Sequence, residues 1–182
     1  GEGNDTLEGG DGDDILYGGD GDDTIIGGEG VDTIYGGGGN DNLSTGSYQG
    51  GSDNNSSIQL VDAGDGDDYI YGRASNLKIL AGSGDDWIWG AGKYIDAGEG
   101  DDNIYVAKAG GWDAFTTDYF DGGDGYDTVR IQDGWGGGNY GAYYLGEVVT
   151  NVEEFHFGYD GHAWSLGAQA GSSGETIVIE AE

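Results

Sequence analysis

Isolated apolar residues recur along this chain at intervals of nine. Leu7, Leu16, Ile25, Ile34 and Leu43 stand nine apart, and Val61, Ile70, Ile79 and Ile88 continue in the same phase after one missing beat. Ile104 and Val129 follow after changes of spacing. A single apolar residue between two outward-facing neighbours is the period-two pattern of a short strand with one inward side chain. The residues between these strands are mainly glycine and aspartate, which mark turns. The pattern therefore predicts strands of about three residues separated by turns of six. No helical stripe is present. The 43 glycines oppose helix further, since each costs about 1 kcal/mol in a helix interior.

The turns share one frame. Written as nine residues from Gly9, the units are GGDGDDILY, then GGDGDDTII from Gly18, GGEGVDTIY from Gly27 and GGGGNDNLS from Gly36. Upstream, GEGNDTLE is the same unit without its first residue. Downstream come AGDGDDYIY from Ala63, AGSGDDWIW from Ala81, AGEGDDNIY from Ala97 and GGDGYDTVR from Gly122. Glycine takes the first, second and fourth positions or nearly so, aspartate the sixth and an apolar residue the eighth. The stretch 45–62 is degenerate but in phase, and the unit from Gly72 has also lost its Gly and Asp signature while keeping Ile79. The unit from Gly90 is two residues short, residues 106–121 are expected to form an insertion or loop, and residues 122–182 a last repeat with a β-rich cap.

This frame resembles the G-G-x-G-x-D-x-U-x repeat of the RTX, or hemolysin-type, calcium-binding family. The resemblance covers residues 1 to about 130, with interruptions. It implies an all-β fold, a right-handed parallel β-roll over residues 1–105, in which two nonapeptides make one coil. Calcium then lies between turns stacked on one edge. The implied carboxylate ligands are Asp5, Asp14, Asp23, Asp32, Asp41, Asp68, Asp86, Asp102 and Asp127. The implied backbone carbonyls belong to Gly10, Gly12, Gly19, Gly21, Gly28, Gly30, Gly64, Gly66, Gly82 and Gly84. Counting 18 residues per coil pairs Asp5 with Asp23 and Asp23 with Asp41 on one edge. It pairs Asp14 with Asp32, Asp68 with Asp86, and Asp86 with Asp102 on the other, about five calcium ions in all, with no clear partner for Asp127. The resemblance also implies an exported or cell-surface protein, folding on calcium outside the cell, with any catalytic part elsewhere.

Charge agrees with a cation as the partner. Thirty-six acidic residues face five basic ones, for a formal charge of -31. Such a chain repels nucleic acid and anionic lipid. The absence of cysteine excludes disulfides and thiolate metal sites. No apolar run is long enough to span a bilayer, and a chain starting at Gly1 without a leader is expected to be a piece of a longer one. The EF-hand frame fails from Asp20, where Ile25 stands at the required glycine. No phosphate loop, G-x-S-x-G or H-E-x-x-H occurs, so no catalytic constellation is expected. Glu153, Glu154 and His156 are read as part of a capping strand over residues 151–157 rather than as a metal or acid–base cluster.

Residues flanking the apolar position are often aromatic. The 18-residue count stacks Tyr17, Tyr35, Tyr71, Trp89 and Tyr105 in one outward column, with Tyr69 and Trp87 beside it and an opposite sheet that is far less aromatic. Two readings follow: cross-strand stacking that stabilises the sheet, or an exposed face for a glycan or protein partner.

Overall fold

A computed structural model describes residues 1–46, 59–73, 76–91, 93–107, 116–132, 144–157 and 176–177. Among them sixteen strands form two parallel sheets, with no helix. One sheet runs β1 (Thr6–Asp11), β3 (Thr24–Glu29), β5 (Asn42–Ser44), β7 (Tyr69–Arg73), β9 (Trp87–Ala91), β11 (Asn103–Ala107), β13 (Thr128–Gln132), β15 (Glu154–Phe157) and β16 (Thr176–Ile177). The other runs β2 (Ile15–Asp20), β4 (Thr33–Gly38), β6 (Gln59–Asp65), β8 (Leu77–Ser83), β10 (Tyr94–Glu99), β12 (Thr116–Asp124) and β14 (Tyr144–Thr150). Up to β15, consecutive strands alternate between the sheets, so two strands and two turns make one coil of a parallel β-roll.

The apolar positions stack rung on rung. Leu7 pairs with Ile25 and Leu16 with Ile34, each 18 residues on. The core is one file per sheet: Ile25, Ile34, Leu43, Val61, Ile70, Ile79, Ile88, Ile104 and Val129 are fully buried. Ile95 and Phe120 join the same file. The sequence frame omits both, because one lies in the shortened unit and the other in the expected loop at 106–121, where β12 begins. The frame's first position also points inward, and Ala63, Ala81 and Ala97 are fully buried there. Burying one aliphatic side chain stabilises by about 1.5–3 kcal/mol, so a core this thin offsets little of the chain's conformational entropy.

Two expectations change. The first four strands are six residues long, not three, and the turns correspondingly shorter. The ladder does not stop at the glycines: Gly10 pairs with Gly28 and Gly19 with Gly37. The second change is one of parity. Thr33 pairs with Leu60, 27 residues on rather than 18, so the connection from β5 to β6 carries nine extra residues. Nine residues are half a coil. The phase of the repeat survives, but every later unit moves to the opposite sheet and the opposite edge.

The stacking explains the second and fourth glycines. Gly28 has φ of 118° and Gly30 of 137°, a region that side-chain-bearing residues rarely adopt. A Cβ on Gly28 would run into the Gly10 carbonyl of the coil below, and one on Gly30 into that of Gly12. Gly64 repeats this geometry, with φ of 111° and the Gly37 carbonyl beneath it, whereas its neighbour Ala63 is a buried alanine. Gly64→Ala is therefore expected to destabilise the calcium-loaded roll by about 2 kcal/mol or more, and Ala63→Gly by about 1 kcal/mol or less. Thermal unfolding of both variants checks this; equal losses would contradict the steric account.

Candidate metal centres along the roll edges

Each coil turns twice, and the two edges of the roll differ. Turns leading from the second sheet into the first end at Asp5, Asp23, Asp41, Asp68, Asp86, Asp102 and Asp127. Their carboxylates form one unbroken ladder. The Asp5 amide donates to Asp23 Oδ1 at 2.7 Å, Asp23 to Asp41 at 2.8 Å and Asp41 to Asp68 at 2.7 Å. Asp68 donates to Asp86 at 2.8 Å, Asp86 to Asp102 at 2.8 Å and Asp102 to Asp127 at 2.9 Å. On the opposite edge, the Asp14 amide donates to Asp32 Oδ1 at 3.1 Å in the same way.

This overturns part of the expected pairing. Asp68, Asp86 and Asp102 continue the Asp5–Asp23–Asp41 edge, not the Asp14–Asp32 edge, because the nine extra residues after β5 reverse the parity. Asp127 gains the partner that spacing alone did not supply, Asp102. Beyond Asp32, the second edge presents Gln59 and then Leu77 at the same position. Gln59 Nε2 donates to the Gly30 carbonyl at 2.7 Å, so an amide stands where the other edge has a carboxylate.

A second ladder lies outside the first, at the frame's fifth position, which the sequence reading left unassigned. The amide of Asn40 donates to Asp22 Oδ1 at 3.0 Å, that of Asp85 to Asp67 at 2.9 Å and that of Asp101 to Asp85 at 2.9 Å. The two ladders run in opposite senses. Inner carboxylates reach back to the preceding coil, and outer ones reach forward to the following coil. Repeated Asp or Asn at this position was the available signal.

The inner carboxylates are left half-satisfied. The Oδ2 atoms of Asp14, Asp23, Asp41, Asp68, Asp86, Asp102 and Asp127 are buried without a hydrogen-bond partner. Burial, reinforced by neighbouring carboxylates, holds Asp86 up at about 8, Asp68 and Asp102 at about 7 and Asp127 at about 6, against a partial lowering by the amide hydrogen bonds. A buried carboxylate in this state needs a proton or a cation. Among the described residues no three Asp, Glu, His or Cys side chains converge on one point. A cation here must draw on paired carboxylates and backbone carbonyls, which is an oxygen-only donor set suited to a hard ion such as calcium. All ten glycines expected to supply carbonyls adopt positive φ: Gly10, Gly12, Gly19, Gly21, Gly28, Gly30, Gly64, Gly66, Gly82 and Gly84. Gly37, Gly39, Gly98, Gly100, Gly123 and Gly125 share the conformation and extend the set.

The aromatic column divides at the same parity change. Tyr17 and Tyr35 stack on the second sheet, with centroids 4.8 Å apart. Tyr71 and Trp89 lie in register on the first sheet, followed by Tyr105, with Tyr69 and Trp87 alongside. Thr24 and Asn42 share that first sheet, whereas Lys78 and Leu80 lie on the second. Tyr105 stacks on Trp87 at 5.1 Å and on Trp89 at 5.5 Å, and the Arg130 guanidinium sits 5.3 Å from its ring centre. Parallel rings this close stand face to face. In the capping segment, β15 begins at Glu154; the side chain of His156 lies outside the described residues.

The fold and its edges thus define a parallel β-roll with a glycine-and-carboxylate spine. A family model of the RTX calcium-binding nonapeptide repeat matches residues 1–34, 17–47, 58–76 and 78–92. Over these residues the chain carries four copies of that repeat. No curated protein and no solved structure matches the chain.

The raised carboxylates fix a pH dependence. Their folded values of about 6 to 8 lie above the ordinary aspartate value of 3.8, so the folded state holds more protons in that window and stability falls as pH rises through it. In metal-depleted buffer the roll is expected to gain β-structure as pH is lowered below about 6 and to lose it above about 8. Circular dichroism against pH checks this; β-structure that increases with pH would contradict it.

Proposed function

We propose that this chain is a calcium-dependent folding module of an exported protein. The observation that carries the reading is the row of six buried aspartates on the first edge, Asp23, Asp41, Asp68, Asp86, Asp102 and Asp127, whose Oδ2 atoms have no hydrogen-bond partner. By this reading ions occupy the gaps along the first edge from Asp5 to Asp127, plus the gap between Asp14 and Asp32. That is six gaps and one, from the hydrogen-bonded pairs, in place of the five obtained by counting residues. Extracellular modules bind calcium at about 10⁻⁴–10⁻³ M. At tenfold excess each site adds about 1.4 kcal/mol, so seven sites together match the stability of a whole domain. Where calcium is scarce the charge of -31 and the thin core favour the unfolded chain. That difference suits a segment exported unfolded and folded outside the cell.

Calcium titration followed by far-UV circular dichroism tests the reading. At neutral pH the β signal is expected to appear cooperatively with calcium and poorly with magnesium, which dehydrates reluctantly. A β signal unchanged by excess chelator would overturn it. Asp86, which borders two gaps, is expected to matter more than Asp14, which borders one. Asp86→Asn should shift the calcium midpoint further than Asp14→Asn, and equal shifts would contradict the assignment.

The aromatic rows support cross-strand packing over a glycan platform. A sugar stacks on an exposed ring face, and Trp87 and Trp89 each turn a face to Tyr105. Replacing Trp87 and Trp89 together by Thr is expected to lower stability by about 1–2 kcal/mol. Unchanged stability with loss of binding to a glycan array would favour the platform.

A further inference from the structure

The carboxylate ladder does not end with the repeats. The family match stops at residue 92 and the last nonapeptide at Arg130. Yet the Asp127 amide donates to Glu153 Oε2 at 2.8 Å, as each earlier aspartate donates to the carboxylate of the next coil. Glu153 lies just before β15, whose Glu154 pairs with Thr128 as Thr128 pairs with Asn103. It therefore occupies the frame's sixth position one coil beyond the last repeat.

The local geometry accounts for glutamate in place of aspartate. Thr150 pairs with Asp121, and Glu154 with Thr128. Three residues, 151–153, connect Thr150 to Glu154, where six, 122–127, connect their partners Asp121 and Thr128 in the coil below. A tighter turn places the backbone differently, and the extra methylene of glutamate returns the carboxylate to the ladder. The tightness shows at Asn151, the one non-glycine residue with positive φ among the described residues, at 54°. Val152 fills the interior of the same turn.

The oxygens of a repeat gap are reproduced here. Above Gly18, a Cβ would meet the Gly36 carbonyl of the next coil at 2.6 Å and the Asp23 carboxylate. Above Gly122 it would meet the Asn151 carbonyl and Asp127 Oδ2. Asp127 is fully buried, and its Oδ2 has no hydrogen-bond partner. That oxygen lies on the side of the Asn151 turn, so the gap beneath Glu153 presents the same buried, unpartnered carboxylate oxygen as the gaps within the repeats.

We propose that Glu153 and Asp127 bind a calcium ion between the last repeat and the capping strand, making the cap part of the metal spine. The inference rests on the calcium reading above. Its rival is that Glu153 serves only as a hydrogen-bond acceptor for the Asp127 amide. Glu153→Gln separates the two, because the amide oxygen still accepts that hydrogen bond while the charge is lost; Glu153→Ala removes both. Native mass spectrometry at saturating calcium counts bound ions, and circular dichroism follows folding. Both variants are expected to carry one ion fewer than the parent chain, with Glu154→Gln, on the outward face, carrying the full number. A Glu153→Gln protein with the parent's ion count and calcium midpoint would overturn the proposal while leaving the calcium reading intact. A parent chain that binds no calcium would overturn both.

Discussion

The structure depends on buried carboxylates that are only half used. Along the first edge, each inner aspartate from Asp23 to Asp127 gives one oxygen to the amide of the preceding coil and keeps the other buried without a hydrogen-bond partner. The first oxygen holds the coils in register. The second makes that register costly unless positive charge arrives, because a desolvated carboxylate beside another of its kind resists ionisation. Five basic residues cannot neutralise 36 acidic ones, and two of the five are engaged elsewhere: Lys78 sits over Tyr94 and Arg130 against Tyr105 and Asn103. Charge compensation has to come from solution.

That requirement separates the two edges. The shortened unit, the nine extra residues after β5 and the extra residues between β11 and β12 all fall on connections from the first sheet to the second. This is the edge on which the carboxylates end at Asp32 and give way to Gln59 and Leu77. From Gly21 to Asp127 the other edge keeps its three-residue G-x-D turns throughout, while the spacing between successive aspartates ranges from 16 to 27 residues. The arrangement follows from the chemistry. A gap bounded by paired aspartates and glycine carbonyls constrains its turn length, whereas a gap closed by an amide or an aliphatic side chain has no coordination geometry to preserve.

The sequence carried the unit but not its bookkeeping. The apolar eighth position, the inward Asp and the positive-φ glycines follow from a frame repeated so often that each position's role is set by its neighbours above and below. Parity did not follow. Residues 45–62 keep the period of nine, and nine extra residues in a connection are indistinguishable in phase from a strand-forming unit; the pairings of Thr33 with Leu60 and of Asp41 with Asp68 reveal them. The aromatic column was misassigned for the same reason. Phe120 and Ile95 went unseen because their units lack the aspartate that marks the frame. Glu153 was hidden differently: alternation within NVEEFHF suggests a strand, and nothing in that pattern says that a three-residue turn brings a glutamate into line with aspartates.

The ladders also make the roll a one-dimensional system with coupled neighbours. An inner carboxylate borders the gap on each side of it, and the outer ladder ties the same turns in the reverse sense, as in Asp22 to Asn4 and Asn40 to Asp22. An ion entering one gap therefore fixes a carboxylate that the next gap also uses, which is the physical basis for cooperative filling. The ends of such a system differ from its middle. Asp127, with Glu153 above it, is fully buried. Solvent at an exposed terminal carboxylate lowers the cost of leaving it without an ion, so an uncapped end frays before an enclosed one. A glutamate that closes the last gap removes that weakness from one end of the spine, and it does so with the same interaction that builds every coil below it.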